Sequence, residues 1–331
     1  MDVSIIVCTY NPDQKIFERC LTAINKLNVQ GILVEVIIVD NNSAVPISTL
    51  NYVSEFSRDV INRKIIVEPQ QGLVYARISG FRNSTGKLII FFDDDNEPFP
   101  DYVMAAKKLH DERFFIGILG PGYINVEYID GVDPWIRQHL NELFQEKKAE
   151  REEYILSIMN WAPWYPPGTG QVIKRIVFES YIKNIVEKGL KTSDRKGENL
   201  SSAGDSQIIW SSLNLNYAVG HHPALKLNHL IPFRRANLQY LKRLKYHLEL
   251  SGALAFAEMY PEKRIFISKY SALKFLYNVF KIYFNGIKNK QSKSINLNIA
   301  TLIGKNEASV RIFESKMPFM LVAFKRIFTM N

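Results

Sequence analysis

Three consecutive aspartates, Asp93-Asp94-Asp95, follow directly on the apolar run Leu88–Phe92 (LIIFF). Like charges this close repel, and each ionised carboxylate is costly to take out of water. A hard divalent cation relieves both costs. Mg²⁺ or Mn²⁺ takes oxygen ligands, commonly one or two carboxylates together with substrate phosphates. The bland alternative is an acidic turn facing water. Two other apolar runs end in polar groups. Val3–Val7 (VSIIV) leads into Cys8-Thr9-Tyr10-Asn11, and Val34–Val39 (VEVIIV) leads into Asp40-Asn41-Asn42-Ser43.

Continuous β-branched runs of this length fit strands buried on both faces. Pro12–Leu27 separates the first two and places Ile16, Phe17, Cys20, Leu21 and Ile24 at helical spacing. A third short run, Ile65–Val67, precedes a helical stretch, Leu73–Asn83, opened by Gly72. Strand and helix in alternation predict an α/β fold with a mostly parallel sheet. In such a sheet ligands sit beyond the carboxyl ends of the strands, which is where Thr9, Asp40 and Asp93 fall.

Further along, Asp133-Pro134 reads as an N-cap followed by proline at the first helical position, opening a charged helix to about Tyr154. Trp161–Gly170 (WAPWYPPGTG) reads as a loop, and so does the polar stretch Lys191–Ser202. Helices are expected over Glu179–Lys188, Ser206–Asn214 and Leu238–Ala257.

In combination these segments resemble the family 2 glycosyltransferases of the GT-A fold, which are inverting and use nucleotide sugars. The resemblance is carried by VSIIVCTYNP, VEVIIVDNNS and QQGLVYARISGFRNSTGKLIIFFDDDNEP, and it extends over roughly residues 2–245. It implies a Rossmann-like, mostly parallel sheet with flanking helices. The family's DxD motif matches Asp93-Asp94-Asp95. Asp95 then coordinates Mn²⁺ or Mg²⁺, and Asp93 touches the ribose or the metal. Thr9, Tyr10, Asn11, Asp40, Asp94 and Arg77 match positions around the donor nucleotide. The family carries Asn after that arginine, whereas this chain has Ile78.

The resemblance continues in PGTGQVIKR, whose Gly168-Thr169-Gly170 matches a loop on the acceptor and diphosphate side. Glycines there let backbone N–H groups approach an anion. Trp161 and Trp164, just before it, suit stacking on a sugar ring or a place in a lid. LSSAGDSQIIW resembles the motif that supplies the catalytic base, with Asp205 as the aligned aspartate. The acid that precedes it in the family is Gly204 here. As a structural element Asp205 reads as an N-cap of the following helix. NHLIPFRRANLQYL aligns His229 and Arg235 with residues near the donor phosphates. His221-His222 has no ligand partners at metal spacing and reads as structural.

The implied activity is transfer of a sugar from a nucleoside diphosphate, most often a uridine diphosphate, to a hydroxyl of a glycan or lipid-linked acceptor in bacterial-type surface polysaccharide synthesis. The alternatives are a nucleotidyltransferase making a nucleotide sugar, and a non-catalytic sugar-nucleotide-binding scaffold.

The chain has 331 residues and a net charge of +9, and its charge is uneven. Residues 260–331 hold 13 Lys/Arg and 3 Asp/Glu, whereas 1–259 are nearly neutral. The expected organisation is a catalytic domain over 1–258, with its nucleotide-binding part in 1–98 and its acceptor part in 99–258. A basic, amphipathic helical region follows over 259–331. Tyr270–Phe284 reads as an amphipathic helix, with Leu273, Leu276, Phe280 and Phe284 along one apolar side together with Val279 and Tyr283, and with Lys274 and Lys281 on another side. An anionic membrane surface, a cap packed on the catalytic domain and nucleic acid compete for this tail. No nucleic-acid motif accompanies the charge, so nucleic acid is not expected. Met317–Phe324 is too short to span a bilayer, and no run of 18 apolar residues occurs. Two cysteines, Cys8 and Cys20, make neither a disulfide framework nor a Cys-rich zinc site. The opening residues carry no signal-peptide pattern, so the expected location is cytoplasmic, peripheral on the inner face of the membrane.

Overall fold

A computed structural model of the chain describes residues 1–58, 62–159, 161–192, 194–197, 199–289 and 292–328. The chain divides into two compact units. The first comprises Met1–Lys188 and Ile208–Phe233, and the second Gly189–Gln207 and Arg234–Asn331.

The first unit is built on one sheet. Its elements run β1 (Val3–Thr9), α1 (Gln14–Asn25), β2 (Val34–Asp40), α2 (Asn51–Arg58), β3 (Arg63–Val67), α3 (Leu73–Arg82), β4 (Leu88–Asp93), β5 (Asn96–Pro98), α4 (Tyr102–Glu112), β6 (Ile116–Tyr128), α5 (Pro134–His139), β7 (Lys147–Lys148), β8 (Glu153–Ile155), β9 (Gln171–Lys174) and α6 (Arg175–Lys188). After α7 (Gly204–Asn214) comes β10 (Ala218–Ile231). The main strand order is β3-β2-β1-β4-β9-β6-β10-β5, with β7 beside β6 and β8 beside β10. The expected parallel set is present, since β1 pairs in parallel with β2 and β4, and β2 with β3. β6 and β10 form a second parallel pair. Between them β9 runs antiparallel to both β4 and β6.

Why these elements form follows from their residues. Every residue of β1 is buried, as expected of a strand covered on both faces. The Asp13 carboxylate caps α1 by accepting from the Ile16 amide at 3.3 Å. Ile16, Phe17, Cys20, Leu21 and Ile24 then bury on one face. Phe17 is fully buried, which stabilises the fold by about 1.5–3 kcal/mol. α3 sits hard against the sheet, because a Cβ on Gly80 would lie 2.5 Å from Cγ2 of Ile6. At the far end of β1, the buried Glu35 carboxylate accepts from Ser4 Oγ at 2.7 Å and from the Thr85 amide at 2.6 Å. Burial alone pushes that carboxyl up, but the Thr85 and Ser4 hydrogen bonds and the Lys64 charge hold it below the usual range.

The charged helix expected from Asp133 to Tyr154 is not there. Asp133 does cap the Trp135 amide at 2.8 Å, yet α5 stops at His139. A 3₁₀ turn over Asn141–Phe144 follows, and Gln145 adopts a left-handed φ of 67°. The chain then pairs with the sheet, Lys147–Lys148 against Ile124 and Tyr123, and Glu153–Ile155 against His221 to Val219. Long-range pairing overrides the local helical preference of these charged residues. α6 also starts earlier than expected, at Arg175, directly after β9.

The second unit is helical. α8 (Leu238–Met259), α9 (Ala272–Lys288), α10 (Ser292–Ile312) and α11 (Phe319–Ile327) enclose a core that includes Leu250, Phe275, Val279, Ile299, Ile303 and Leu321. α8 thus packs with the basic tail, and the compact units part after Phe233, upstream of residue 258. Glu307 is buried, and Tyr246 Oη donates to it at 2.6 Å. Arg311 and Lys325 pair with the same carboxylate. Of the expected loop Lys191–Ser202, residues 193 and 198 lie outside the described residues. No helix among the described residues is long and apolar enough to cross a membrane.

Candidate active site

β1, β2 and β4 end side by side, with Thr9 opposite Asp40 and Cys8 opposite Asp93 in the parallel ladders. The three aspartates turn away at this edge. Thr9 Oγ1 donates to Asp94 Oδ2 at 2.5 Å. Asn96 holds the turn from inside, its Oδ1 accepting from the Asp93 amide at 3.1 Å and its Nδ2 donating to Asp95 Oδ1 at 2.9 Å. Thr169, buried in the turn before β9, reaches Asp93 Oδ2 at 3.4 Å. β10 closes the other side, where the Leu230 amide donates to the Asp95 carbonyl at 2.9 Å.

Asp95 is 7% exposed and His229 3%. Nε2 of His229 lies 3.4 Å from Asp95 Oδ2, and Nδ1 lies 2.8 Å from the Phe144 carbonyl oxygen. The ring comes from β10, whose register puts His229 opposite Asn96. Among the described residues no group of three or more His, Cys, Asp or Glu side chains is placed to hold a metal ion. The Asp95 carboxylate oxygen suits Mn²⁺ or Mg²⁺, the imidazole nitrogen beside it suits Mn²⁺ better than the harder Mg²⁺, and such ions ordinarily complete their shells with water and substrate phosphate. The residues present therefore fit such an ion.

The loop after β2 is stitched to this edge. Asp40 is buried, with Oδ1 accepting from the Ser43 amide at 2.9 Å and Oδ2 from the Ile47 amide at 3.0 Å. Asn11 has φ +47° and its Oδ1 accepts from the Ala44 amide at 2.8 Å. Tyr10 is exposed, which leaves a ring face open at the strand ends. Asn41 Nδ2 donates to the Glu68 and Gln70 carbonyls at 3.2 and 2.9 Å, and its Oδ1 accepts from the Gly72 amide at 2.7 Å. Arg77 is buried, its guanidinium 5.5 Å from the centre of the Phe91 ring. Burial pushes the Cys8 thiol up to about 12 despite the opposing Arg77 charge. A thiol so high stays protonated and is no nucleophile.

On the proposed acceptor side, Gly170 takes φ +70°, and a Cβ there would lie 2.7 Å from Tyr102 Oη. That hydroxyl donates to the Gly170 carbonyl at 2.5 Å. Gly168 accepts from the Gln171 amide at 3.4 Å, closing the turn that presents Thr169. Trp161 and Trp164 are exposed. The loop carrying them is anchored by Tyr165, whose Oη accepts from the Met159 amide at 2.9 Å and donates to the Ser157 carbonyl at 2.8 Å. His221, read as structural in the sequence, lies in β10. It is buried in the sheet, with Glu153 at 3.5 Å and Lys147 at 3.2 Å.

Asp205 and Arg235 belong to the second unit. Asp205 is not the cap of its helix, because α7 starts one residue before it, at Gly204. A carboxylate in the first turn is favoured by the helix dipole. A Cβ on Gly204 would lie 2.6 Å from Oδ2 of Asp194, itself buried. The Arg235 guanidinium lies 6.0 Å from the centre of the Tyr240 ring.

Three residues around the edge escape a reading by motif. Asn96 braces the aspartate turn, and Asn41 joins the loops beside it. Arg19 forks onto Glu97 at 2.9 Å and Glu127 at 2.7 Å, tying α1 to the segment after Asp95. The only signal for Asn96 is its place directly after the aspartates.

The profile of the family described as Glycosyl transferase family 2 matches residues 4–177, just over half of the chain. Glycosyltransferase AglE of Haloferax volcanii is 32% identical over 102 residues, covering 30% of this chain and 33% of that protein. An uncharacterized glycosyltransferase of Bacillus subtilis, YfnE, is 28% identical over 122 residues, or 36% of this chain and 30% of that one. The matches span about a third of the length of these curated relatives. Among solved structures, residues 1–349 of S. aureus TarS superpose with a TM-score of 0.48 at 14% identity, covering 93% of this chain and 91% of that chain. GalNAc-T7 with UDP, GalNAc and Mn²⁺ superposes with a TM-score of 0.47 at 14% identity, covering 76% and 51%.

Proposed function

The chain belongs to glycosyl transferase family 2, and on that premise we propose that it moves a sugar from a nucleoside-diphosphate sugar to a hydroxyl of a glycan or lipid-linked acceptor, with inversion. Uridine diphosphate is the favoured nucleotide, and surface polysaccharide synthesis is the proposed setting. The observation that carries this reading is the convergence of Asp95 and His229 beside the aspartate turn, at the carboxyl ends of parallel strands.

Thr9, Tyr10, Asn11 and Asp40 surround the base and ribose, with Asp93, Asp94 and Arg77 completing the donor side. Asp95 and His229 hold Mn²⁺ or Mg²⁺, with Asp93 adjoining. When bound, the ion supplies Lewis-acid stabilisation of charge on the departing diphosphate. Gly168, Thr169 and Gly170 line the acceptor and diphosphate side, Trp161 and Trp164 stack on sugar, and Arg235 takes a role toward the diphosphate from the segment it belongs to. Asp205 is the general base that takes the proton of the acceptor hydroxyl. Attack by the deprotonated hydroxyl in a single displacement inverts the anomeric carbon. We assign this catalytic part to residues 1–258, and we place the basic region 259–331 against an anionic membrane on its cytoplasmic side.

A panel of nucleotide sugars with Mn²⁺ tests the reading. A donor raises the melting temperature by mass action, and turnover releases a nucleoside diphosphate. Pyrophosphate in place of the diphosphate makes the protein a nucleotidyltransferase. Binding with neither transfer nor donor hydrolysis makes it a scaffold.

A further inference from the structure

α9 has two apolar faces. One packs inward. Phe275 and Val279 are buried, and Gly286 lets α10 approach so closely that a Cβ there would lie 2.3 Å from Cγ1 of Ile295. The Phe275 ring meets Phe324 of α11 edge-on at 5.2 Å. The opposite face carries Leu273, Tyr277, Phe280, Phe284 and Ile287, which are 82, 65, 73, 70 and 71% exposed. At 3.6 residues per turn these five fall within a stripe ~80° wide and ~21 Å long.

The expectation of a single apolar side is therefore corrected. Val279 belongs to the buried face, while Leu273, Phe280 and Phe284 belong to the exposed one. Lys274, Lys281 and Lys288 each follow a member of the exposed row by one residue and are themselves exposed. They form a cationic edge along the stripe. Just upstream, Ile265 and Phe266 are each 80% exposed, beside Lys263 and Arg264.

A water-facing helix has no reason to line its outer face with large apolar side chains, and a contiguous row of them marks an interaction surface. Charge decides the occupant. Residues 260–331 carry 13 Lys/Arg against 3 Asp/Glu. Two copies meeting through this row would pair the same surface with itself and bring two strongly cationic regions together. An anionic lipid surface satisfies both features, taking apolar rings into the acyl boundary and ammonium groups at the phosphates.

We infer that α9 is an in-plane membrane anchor, with the Leu273–Ile287 row seated in the acyl boundary of an anionic leaflet and the Lys274, Lys281 and Lys288 edge on its headgroup phosphates. This deepens the membrane placement proposed above by naming the face that makes it. The helix lies on the bilayer rather than across it, consistent with its length and lysine content.

The test is flotation of the full-length protein with phosphatidylcholine vesicles and with vesicles containing phosphatidylglycerol. The wild type is expected to float with the anionic vesicles roughly 10-fold better or more, and less as salt rises. Phe280→Asp with Phe284→Asp abolishes flotation, and exposure of both positions leaves the melting temperature unchanged. Lys274→Glu, Lys281→Glu and Lys288→Glu together remove the preference for anionic vesicles. Transfer to a water-soluble acceptor is unaffected in both variants, which separates this test from that of the catalytic reading. Equal flotation of the wild type and the double Phe variant overturns the inference. So does a wild type that floats with neither vesicle, and a wild-type dimer that the Phe changes turn into monomer would then give the face to a second copy.

Discussion

Nε2 of His229 stands 3.4 Å from Oδ2 of Asp95 while Nδ1 of the same ring stands 2.8 Å from the Phe144 carbonyl oxygen. A carbonyl only accepts, so Nδ1 carries the hydrogen. Nε2 then faces the carboxylate either with a proton or with a lone pair. A divalent cation shared with Asp95, as proposed above, would take the lone pair, and the Phe144 hydrogen bond holds the ring in the orientation that this would require.

Asp95→Asn and His229→Ala are each expected to lower transfer by on the order of 10²-fold. Chelation by EDTA should abolish activity in the wild type, and Mn²⁺ or Mg²⁺ should restore it. Donor binding measured calorimetrically with and without Mn²⁺ checks the assignment. Transfer that survives chelation removes the metal role from both residues.

Asp205→Asn should leave donor affinity nearly intact and lower turnover by about 10²-fold or more. Steady-state kinetics with saturating donor, paired with a binding titration, reads the split. Wild-type turnover in this variant would assign the base elsewhere.

Gly204→Glu puts back the acid that the family carries before its aspartate, and the local packing opposes it. The new Cβ meets the buried Asp194 carboxylate at 2.6 Å, and a second carboxylate adds like-charge repulsion. We expect Gly204→Glu to destabilise the chain by about 1–3 kcal/mol, and Gly204→Ala by less. Urea unfolding of the three proteins measures this, and a Glu variant as stable as the wild type contradicts it.

Stability should fall in mild acid. Burial, with Lys174 nearby, holds the His110 imidazole down at about 3. In the unfolded chain it titrates near 6.5. Below that value the unfolded state takes up a proton that the folded state refuses, so stability present at pH 7 is lost progressively as pH drops from about 6.5 towards 3. The slope approaches about 1.4 kcal/mol per pH unit for this one group. His221 and His247, each lowered to about 4 mainly by burial, act with the same sign. Urea midpoints at pH 7 and pH 5 show the loss, and His110→Leu should flatten it. An unchanged slope in that variant would refute the attribution.

The strands that carry the donor side were legible because VSIIV, VEVIIV and LIIFF are short, apolar and β-branched, which is how doubly covered strands read. α1 was legible from its 3.6-residue spacing and its Asp13 cap. The segment after His139 was not, because Lys147, Lys148 and Glu153–Ile155 are fixed by partners about 25 and 65 residues away in β6 and β10, and no local pattern encodes that. The placement of His229 against Asp95 shares this cause, since it depends on the β5–β10 register. Motif resemblance gave Asp95 as a metal ligand and His229 as near the donor phosphates without saying that the two side chains meet. The outward face of α9 was misread because periodicity reports an apolar stripe but not which neighbour covers it.

The Asn41 amide bonds to the Glu68 and Gln70 carbonyls and to the Gly72 amide, so the chain leaving β3 and the start of α3 hang from one side group. Neither can open alone without stranding its share of these bonds. In deuterium exchange the amides of Glu68, Gln70 and Gly72 should therefore exchange as a single cooperative block, and Asn41→Ala should split that block while α3 itself stays protected.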